Sequence, residues 1–251
     1  MPPRIAIPMP HSSNQEYAER AILQYERAVT LAAGVPVRIP LDRSAAEVVK
    51  MIEGCDGVLL PGSSADVDPA RFKAARSPHT AAADPRRDAV DDLLLADAYK
   101  FRKPVLGICY GLQSLNVFRA GSLVQHIPDF LPEETRAKVN HEAGKAVAVA
   151  HAVEIDSGSK LAAIVADGAG GPIVLPVNSS HHQSANAVGE GLRIIARCTD
   201  DGIIEALEGT APDHFVVAVQ WHPERSVDQD AASRAIFRAL IDAAGGRIKS
   251  F

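Results

Sequence analysis

Lys103-Pro104-Val105-Leu106-Gly107-Ile108-Cys109-Tyr110-Gly111-Leu112-Gln113-Ser114-Leu115-Asn116 holds a short apolar run, two glycines bracketing a cysteine, and the start of a helical pattern. The run predicts a buried strand over residues 103–108, and the periodicity predicts a helix over residues 111–119. Strand, tight turn and helix in that order form a Gly-x-Cys-x-Gly nucleophile elbow. Its glycines let the chain turn sharply and lift Cys109 above the carboxyl edge of the sheet, where open α/β sheets place their ligands. At that point the unpaired N–H groups and positive end of the following helix favour thiolate, the form that attacks. Taken alone, the segment also fits a small, buried, inert cysteine.

Working outward, short apolar runs alternate with helical patterns. Residues 4–8 and 35–39 read as strands around a helix over 16–33, with Gly34 placed as its C-terminal cap. A short helix over 45–52, a strand over 57–60 ended by Pro61-Gly62, and a helix over 87–101 continue the rhythm. This alternation predicts an α/β fold with a mostly parallel central sheet, helices on both faces and right-handed crossovers. Beyond residue 121 the pattern becomes β-rich, with strands near 146–155, 191–197, 203–207 and 215–220, and a closing helix over 230–244. The polar residues 63–84 read as a surface loop able to shape a pocket. No strong linker interrupts the chain, so one domain over residues 1–251 is expected.

Composition narrows the function classes. With 26 basic and 31 acidic residues the chain carries a net charge of −5, which argues against nucleic-acid binding. At 47% hydrophobic and 23% charged it is an ordinary globular chain. Its apolar stretches fall far short of the ~20 residues of a membrane-spanning helix, and its N-terminus lacks a secretory pattern, so a cytoplasmic protein without membrane partners is expected. Three widely spaced cysteines, Cys55, Cys109 and Cys198, suggest neither a disulfide framework nor a Cys-x-x-Cys metal site.

A thiolate nucleophile needs a proton carrier, and residues 217–224 offer one where a β-branched run ends in His222-Pro223-Glu224. In extended chain residues two apart face the same way, so Glu224 can orient the His222 imidazole. Pro61-Gly62-Ser63-Ser64-Ala65-Asp66-Val67-Asp68-Pro69 follows a strand and can turn backbone N–H groups toward an oxyanion, although an ordinary turn fits equally. Asn178-Ser179-Ser180-His181-His182-Gln183 collects polar side chains after an apolar run, as a ligand-contacting segment would. Adjacent histidines in extended chain face opposite ways, and no partner lies at helical spacing, so a zinc site at His181 and His182 is not expected. His126, His141 and His151 are isolated and read as structural; His11, His79 and His214 carry no pattern. The run from Asp84 to Asp92 reads as an acid-rich first helical turn.

Together the cysteine elbow, His-Pro-Glu, the Pro-Gly-Ser-Ser-Ala-Asp-Val-Asp-Pro loop and Asn-Ser-Ser-His-His-Gln resemble the class I glutamine amidotransferase-like superfamily, which has a flavodoxin-like fold. Within it they resemble the γ-glutamyl-γ-aminobutyrate hydrolase family, over most of the chain. The Arg87-Asp88 pair also favours that branch. The resemblance implies that Cys109 attacks the γ-carbonyl of a small γ-glutamyl amide and forms a thioester. His222 would move the proton, oriented by Glu224, and the backbone N–H groups of Gly62, Ser63 and Tyr110 would hold the oxyanion. Gln113, Ser179, Ser180, His181 and His182 would hold the glutamyl head group. No cofactor and no metal are implied, and a homodimer is possible. Polyamine or related amine breakdown is the implied setting.

Three positions depart from the family pattern. Gly62-Ser63 and Ala120-Gly121 stand where Gly-Gly is typical, and Tyr110 replaces an arginine that would contact substrate or a neighbouring carboxylate. Two other functions use the same chain: a glutaminase subunit passing ammonia to a synthetase partner, and a catalytically silent binding protein on the same fold.

Overall fold

The computed structural model describes residues 1–166 and 173–248, and in it the predicted rhythm becomes β1 (Arg4–Pro8), α1 (Gln15–Leu31), β2 (Val35–Ile39), α2 (Ala45–Glu53), β3 (Gly57–Leu60), α3 (Pro85–Phe101), β4 (Val105–Ile108) and α4 (Tyr110–Phe118). The second half supplies β5 (Leu123–Val124), α5 (Ile127–Phe130), α6 (Glu133–Arg136), β6 (His151–Ile155) and α7 (Lys160–Val165). It ends with β7 (Ile173–Val177), β8 (Ser184–Ala185), β9 (Leu192–Cys198), β10 (Ile204–Gly209), β11 (Val216–Val219) and α8 (Ala231–Ile248). One nine-stranded sheet runs in the order β2-β1-β3-β4-β11-β10-β9-β6-β7, beside a small β5-β8 ribbon. From β2 to β11 neighbouring strands pair in parallel. From β11 to β7 they pair antiparallel, which accounts for the β-rich second half.

The parallel strands lie between two apolar layers, and side-chain alternation sorts their residues between them. Ile5, Ile7, Leu59, Leu106, Ile108, Val217 and Val219 pack against α1 and α8, the latter through Phe237, Leu240 and Ile241. Ala6, Val58, Leu60, Val105, Val216 and Ala218 pack against α2, α3 and α4. Burial on both faces is why these strands read as continuous apolar runs in the sequence. Local chemistry sets the helix starts: Ser44 and Glu47 form a reciprocal capping box on α2, and Asp84 accepts from the Arg87 N–H on α3.

Several local expectations need correction. Gly34 does not take the left-handed cap position after α1; Ala33 does, with φ 68°. Gly34 packs closely on α8, where a Cβ would lie 2.5 Å from Ile241 Cδ1 and 3.0 Å from Val29 Cγ1. Residues 63–84 are not a free surface loop, since Ala65, Asp66 and Val67 are buried. Gln125 ties this segment down by accepting from the Ser77 N–H and Thr80 hydroxyl and donating to the Ala75 carbonyl. The strand expected over 146–155 begins only at His151. No helix among the described residues is long and apolar enough to cross a membrane.

Candidate active site

Three neighbouring parallel strands, β3, β4 and β11, end at one edge, and the residues that follow them converge there. Register pairs Leu60 with Gly107 and Ile108 with Val219, so Gly62, Cys109 and His222 follow side by side. Cys109 has φ 53° and ψ −106°, a strained conformation for a residue with a side chain. The elbow glycines supply room around it. A Cβ on Gly107 would lie 2.8 Å from the Gly111 carbonyl oxygen, and one on Gly111 would lie 2.2 Å from the Leu60 carbonyl oxygen. Only without those atoms can α4 begin directly against β3 and β4, with the Leu112 and Gln113 N–H groups donating to the Cys109 carbonyl at 3.0 and 3.2 Å.

Across the edge, His222 Nδ1 lies 2.7 Å from Glu224 Oε1, and both side chains are almost fully buried. Burial alone would strip the proton from His222, but the Glu224 carboxylate and hydrogen-bonded Cys109 outweigh it and raise the imidazole to about 9. Burial would raise Glu224, yet His222 holds it below the usual carboxylate range. Asn178 fixes the backbone of this segment from both sides, accepting from the His222 N–H at 3.0 Å and donating to its carbonyl at 2.9 Å. A protonated imidazole facing a cysteine, with a carboxylate behind it, is suited to acyl transfer.

The remaining predicted residues divide. The Gly62 N–H donates to the buried Tyr25 hydroxyl at 3.0 Å, which corrects its expected place among the oxyanion donors. Gly62 instead provides clearance, since a Cβ there would lie 2.9 Å from His222 Cε1 and 3.0 Å from Tyr25 Oη. Gln113 is 4% exposed, and its amide nitrogen reaches the Gln183 carbonyl at 3.2 Å and Gln220 Oε1 at 3.3 Å, so it braces α4 rather than presenting that nitrogen to a ligand. Ser179 is buried and donates to the His141 carbonyl, which removes it from the substrate contacts. Ser180 is half-buried and accepts from Arg225 Nη1 at 2.8 Å.

His181 and His182 do face apart, as their adjacency predicts. His182 turns to Asp66 at 3.1 Å, whose hydrogen bond raises the imidazole above its ordinary range. His181 turns inward, away from any head-group contact, to a buried group formed with His141, His151 and Glu205. The expectation that His141 and His151 are isolated fails for the same reason: neighbours distant in sequence reach them through the antiparallel half of the sheet. A cavity of about 340 Å³ lined by Leu131, Val139, His141, His181 and His182 lies beside this segment rather than over Cys109.

Tyr110, the departure beside the nucleophile, donates from its hydroxyl to Asp88 at 2.6 Å while Arg71 pairs with the same carboxylate at 2.7 Å. Arg87 stacks on the Tyr110 ring at 4.8 Å. Cations from α3 and the preceding segment thus stand around the position where the family pattern has its arginine. Arg87 itself is fully buried, pairs with Asp91 at 2.7 Å and donates to the carbonyls of Pro10 and Pro61. The acidic run from Asp84 to Asp92 is therefore more than a solvated helix turn, because Arg87 locks the end of β3 immediately before Gly62. Sequence reasoning missed Tyr25, took Arg87 only as a mark of the hydrolase branch, and placed Asn178 in a ligand-contacting segment rather than on the His222 backbone. Tyr25 gives one signal, a hydroxyl on the apolar stripe of α1 that needs a buried partner.

A model of the peptidase C26 family matches residues 5–224 of the chain. The chain belongs to the peptidase C26 family. It is 31% identical over 225 residues to the γ-glutamyl-γ-aminobutyrate hydrolase PuuD of Escherichia coli, covering 88% of this chain and 84% of that protein. It is 39% identical over 224 residues to a Mycobacterium tuberculosis protein named "Putative glutamine amidotransferase Rv2859c", covering 88% of this chain and 67% of the other. Among solved structures, the glutaminase domain of Trypanosoma brucei CTPS with bound acivicin superposes with a TM-score of 0.57 at 20% identity, over 97% of this chain and 94% of that one. These findings make the peptidase C26 chain a member of the glutamine amidotransferase-like fold and of a hydrolase family.

Proposed function

We propose that this peptidase C26 protein hydrolyses a γ-glutamyl amide through a thioester on Cys109. The supporting observation is the strained Cys109 at the end of β4 facing a buried His222 that is 2.7 Å from Glu224. Cys109 Sγ attacks the γ-carbonyl carbon and forms a tetrahedral oxyanion. The backbone N–H groups of Tyr110 and Ser63 are the donors assigned to that oxyanion, since Gly62's is engaged by Tyr25. As the C–N bond breaks, His222 gives its proton to the departing amine. Cys109 is one of the groups that hold the proton on His222, so acylation of Sγ favours the neutral imidazole that can accept a proton. It then takes a proton from water, whose oxygen attacks the thioester; glutamate leaves and Cys109 recovers its thiolate with His222 protonated.

Ser180, His182 and Arg225 are the remaining candidates to meet the glutamyl head group, Arg225 being held by Ser180 and by Glu224 at 3.6 Å. A γ-glutamyl amine such as γ-glutamyl-γ-aminobutyrate is the preferred substrate class, supported by the likeness to the E. coli γ-glutamyl-γ-aminobutyrate hydrolase. Three unpaired cysteines fit a reducing, cytoplasmic setting. A glutaminase subunit serving a synthetase is the second reading, favoured by the name of the M. tuberculosis relative. Hydrolysis of glutamine, γ-glutamyl-γ-aminobutyrate and a chromogenic γ-glutamyl anilide, by wild type and Cys109→Ala, tests both. Cleavage of γ-glutamyl amines that disappears in Cys109→Ala is expected; turnover of glutamine alone replaces this reading with the second. No turnover together with slow alkylation of Cys109 would overturn both and leave a silent member of the fold.

A further inference from the structure

Four segments far apart in sequence bring His141, His151, His181 and Glu205 into one buried group. His141 follows α6, His151 opens β6, His181 lies between β7 and β8, and Glu205 sits on β10. Their side chains are 4%, 1%, 1% and 0% exposed. Glu205 Oε1 is 3.4 Å from His141 Nδ1, 3.4 Å from His151 Nε2 and 3.5 Å from His181 Nε2. Each of these inward atoms, and Glu205 Oε2, lacks a hydrogen-bond partner by geometry. Leaving so many buried polar atoms unsatisfied is costly, so the arrangement calls for something that joins them.

The outward nitrogens show what that is. His141 Nε2 lies 2.8 Å from Asp201 Oδ2, His181 Nδ1 lies 2.9 Å from the Gln183 carbonyl, and His151 Nδ1 approaches the Ala152 carbonyl at 3.4 Å. A carbonyl or carboxylate only accepts, so each outward nitrogen carries the proton and each inward nitrogen presents a lone pair. Three lone pairs then converge on a carboxylate oxygen, which repels them all. A divalent cation satisfies all four atoms at once, and its charge is matched by Glu205 and Asp201.

We propose that His141, His151, His181 and Glu205 are the ligands of a structural transition-metal site, with Zn²⁺ as the ion it fits best. Three imidazoles and one carboxylate suit zinc, whereas magnesium and calcium take six or more oxygens. Four donors at about 2.0–2.1 Å from a tetrahedral zinc stand about 3.3–3.4 Å apart. The three edges through Glu205 are already close to that length, and all four donors lie within 4.8 Å of one another. Carboxylate or carbonyl acceptors behind each imidazole are the usual outer support of such ligands. The 340 Å³ cavity lined by His141 and His181 lies beside this group. With four protein ligands the coordination shell is closed, so the ion does no chemistry on substrate. It pins residues 178–183 to β6 and β10, and that segment carries Asn178, which holds the His222 backbone. The site is a positioning element for the catalytic edge.

The test uses the full chain expressed with zinc in the medium, with metal content measured by mass spectrometry, followed by chelator stripping and titration with Co²⁺. About one zinc per chain is expected in wild type and in Cys109→Ala, falling at least tenfold in Glu205→Gln and His151→Gln. The stripped wild type should give the visible bands of four-coordinate cobalt without a thiolate charge-transfer band, since no cysteine is in the set. The cobalt spectrum is decisive even where a variant fails to fold. Stripped wild type without those bands, zinc content unchanged in both variants, or a thiolate band from Cys198 or Cys109 would each overturn the assignment.

Discussion

Gly62→Ala isolates the geometric core of the site, because the change adds one methyl group and removes no polar atom. Gly62 does not lie at positive φ, so alanine carries no backbone penalty there. The new Cβ would stand 2.9 Å from His222 Cε1, 3.0 Å from Tyr25 Oη and 3.6 Å from Cys109 Cβ. Carbon–carbon contact is favourable at about 3.5–4.0 Å, so the imidazole must retreat by more than about half an ångström. It cannot do so freely, being held by Glu224 at 2.7 Å on one side and by Asn178 at its backbone. Overpacking of this kind costs about 1–3 kcal/mol, while a catalytic group displaced by about 1 Å can lose 10²-fold in rate. The expected outcome is a fall in kcat of about 10²-fold on a chromogenic γ-glutamyl anilide, with KM little changed and Cys109 alkylation slowed in parallel. Ser64→Ala, on the exposed face of the same turn, should leave turnover unchanged. A folded Gly62→Ala protein with wild-type kcat and alkylation rate would refute the claim that His222 and Cys109 act at this spacing.

Further expectations follow from the same contacts. Arg87→Ala leaves Asp91 buried without its partner and frees the Pro61 carbonyl, so denaturant unfolding at pH 7 should show a loss of about 3–5 kcal/mol; a loss below about 1 kcal/mol would mean the pair behaves as a solvated one. His222 titrates at about 9, so kcat/KM should fall on the alkaline side near that pH as the proton needed by the leaving amine is lost. Glu224→Gln removes the carboxylate that raises His222, and the alkaline limb should move toward neutral pH; an unmoved limb would assign it to another group. Ala120 is exposed and left-handed at φ 66°, so Ala120→Gly should raise stability by about 1 kcal/mol, or about 2–4 °C in Tm, without changing turnover; a lower Tm would contradict the strain.

Much of the fold was legible because both faces of the parallel strands are buried. Val105 to Ile108 and Val216 to Val219 then appear as unbroken apolar runs, and the helices between them keep their period. The candidate site was legible for a related reason: Cys109 follows directly on such a run, and His222 stands three residues after another. What stayed hidden depends on contacts across the fold. Nothing local says that the Tyr25 hydroxyl on α1 engages the Gly62 N–H, that Ala33 rather than Gly34 turns left-handed, or that Arg87 is fully buried. His141, His151, His181 and Glu205 were illegible for the strongest form of that reason, since antiparallel pairing of β6, β9 and β10 brings together residues that have no common spacing. His181 was misassigned because its sequence neighbour His182 does face Asp66 near the site, and alternation along extended chain sends the two in opposite directions.

The central claim is that Cys109 carries the acyl group, and rapid acid quench of the enzyme with a γ-glutamyl anilide, followed by peptide mass spectrometry, tests it most directly. A mass increase of one glutamyl group on the peptide bearing Cys109, formed as fast as the first burst of aniline and absent in Cys109→Ala, is the predicted result. Steady turnover with no adduct on Cys109, or turnover that persists in Cys109→Ala, would contradict it.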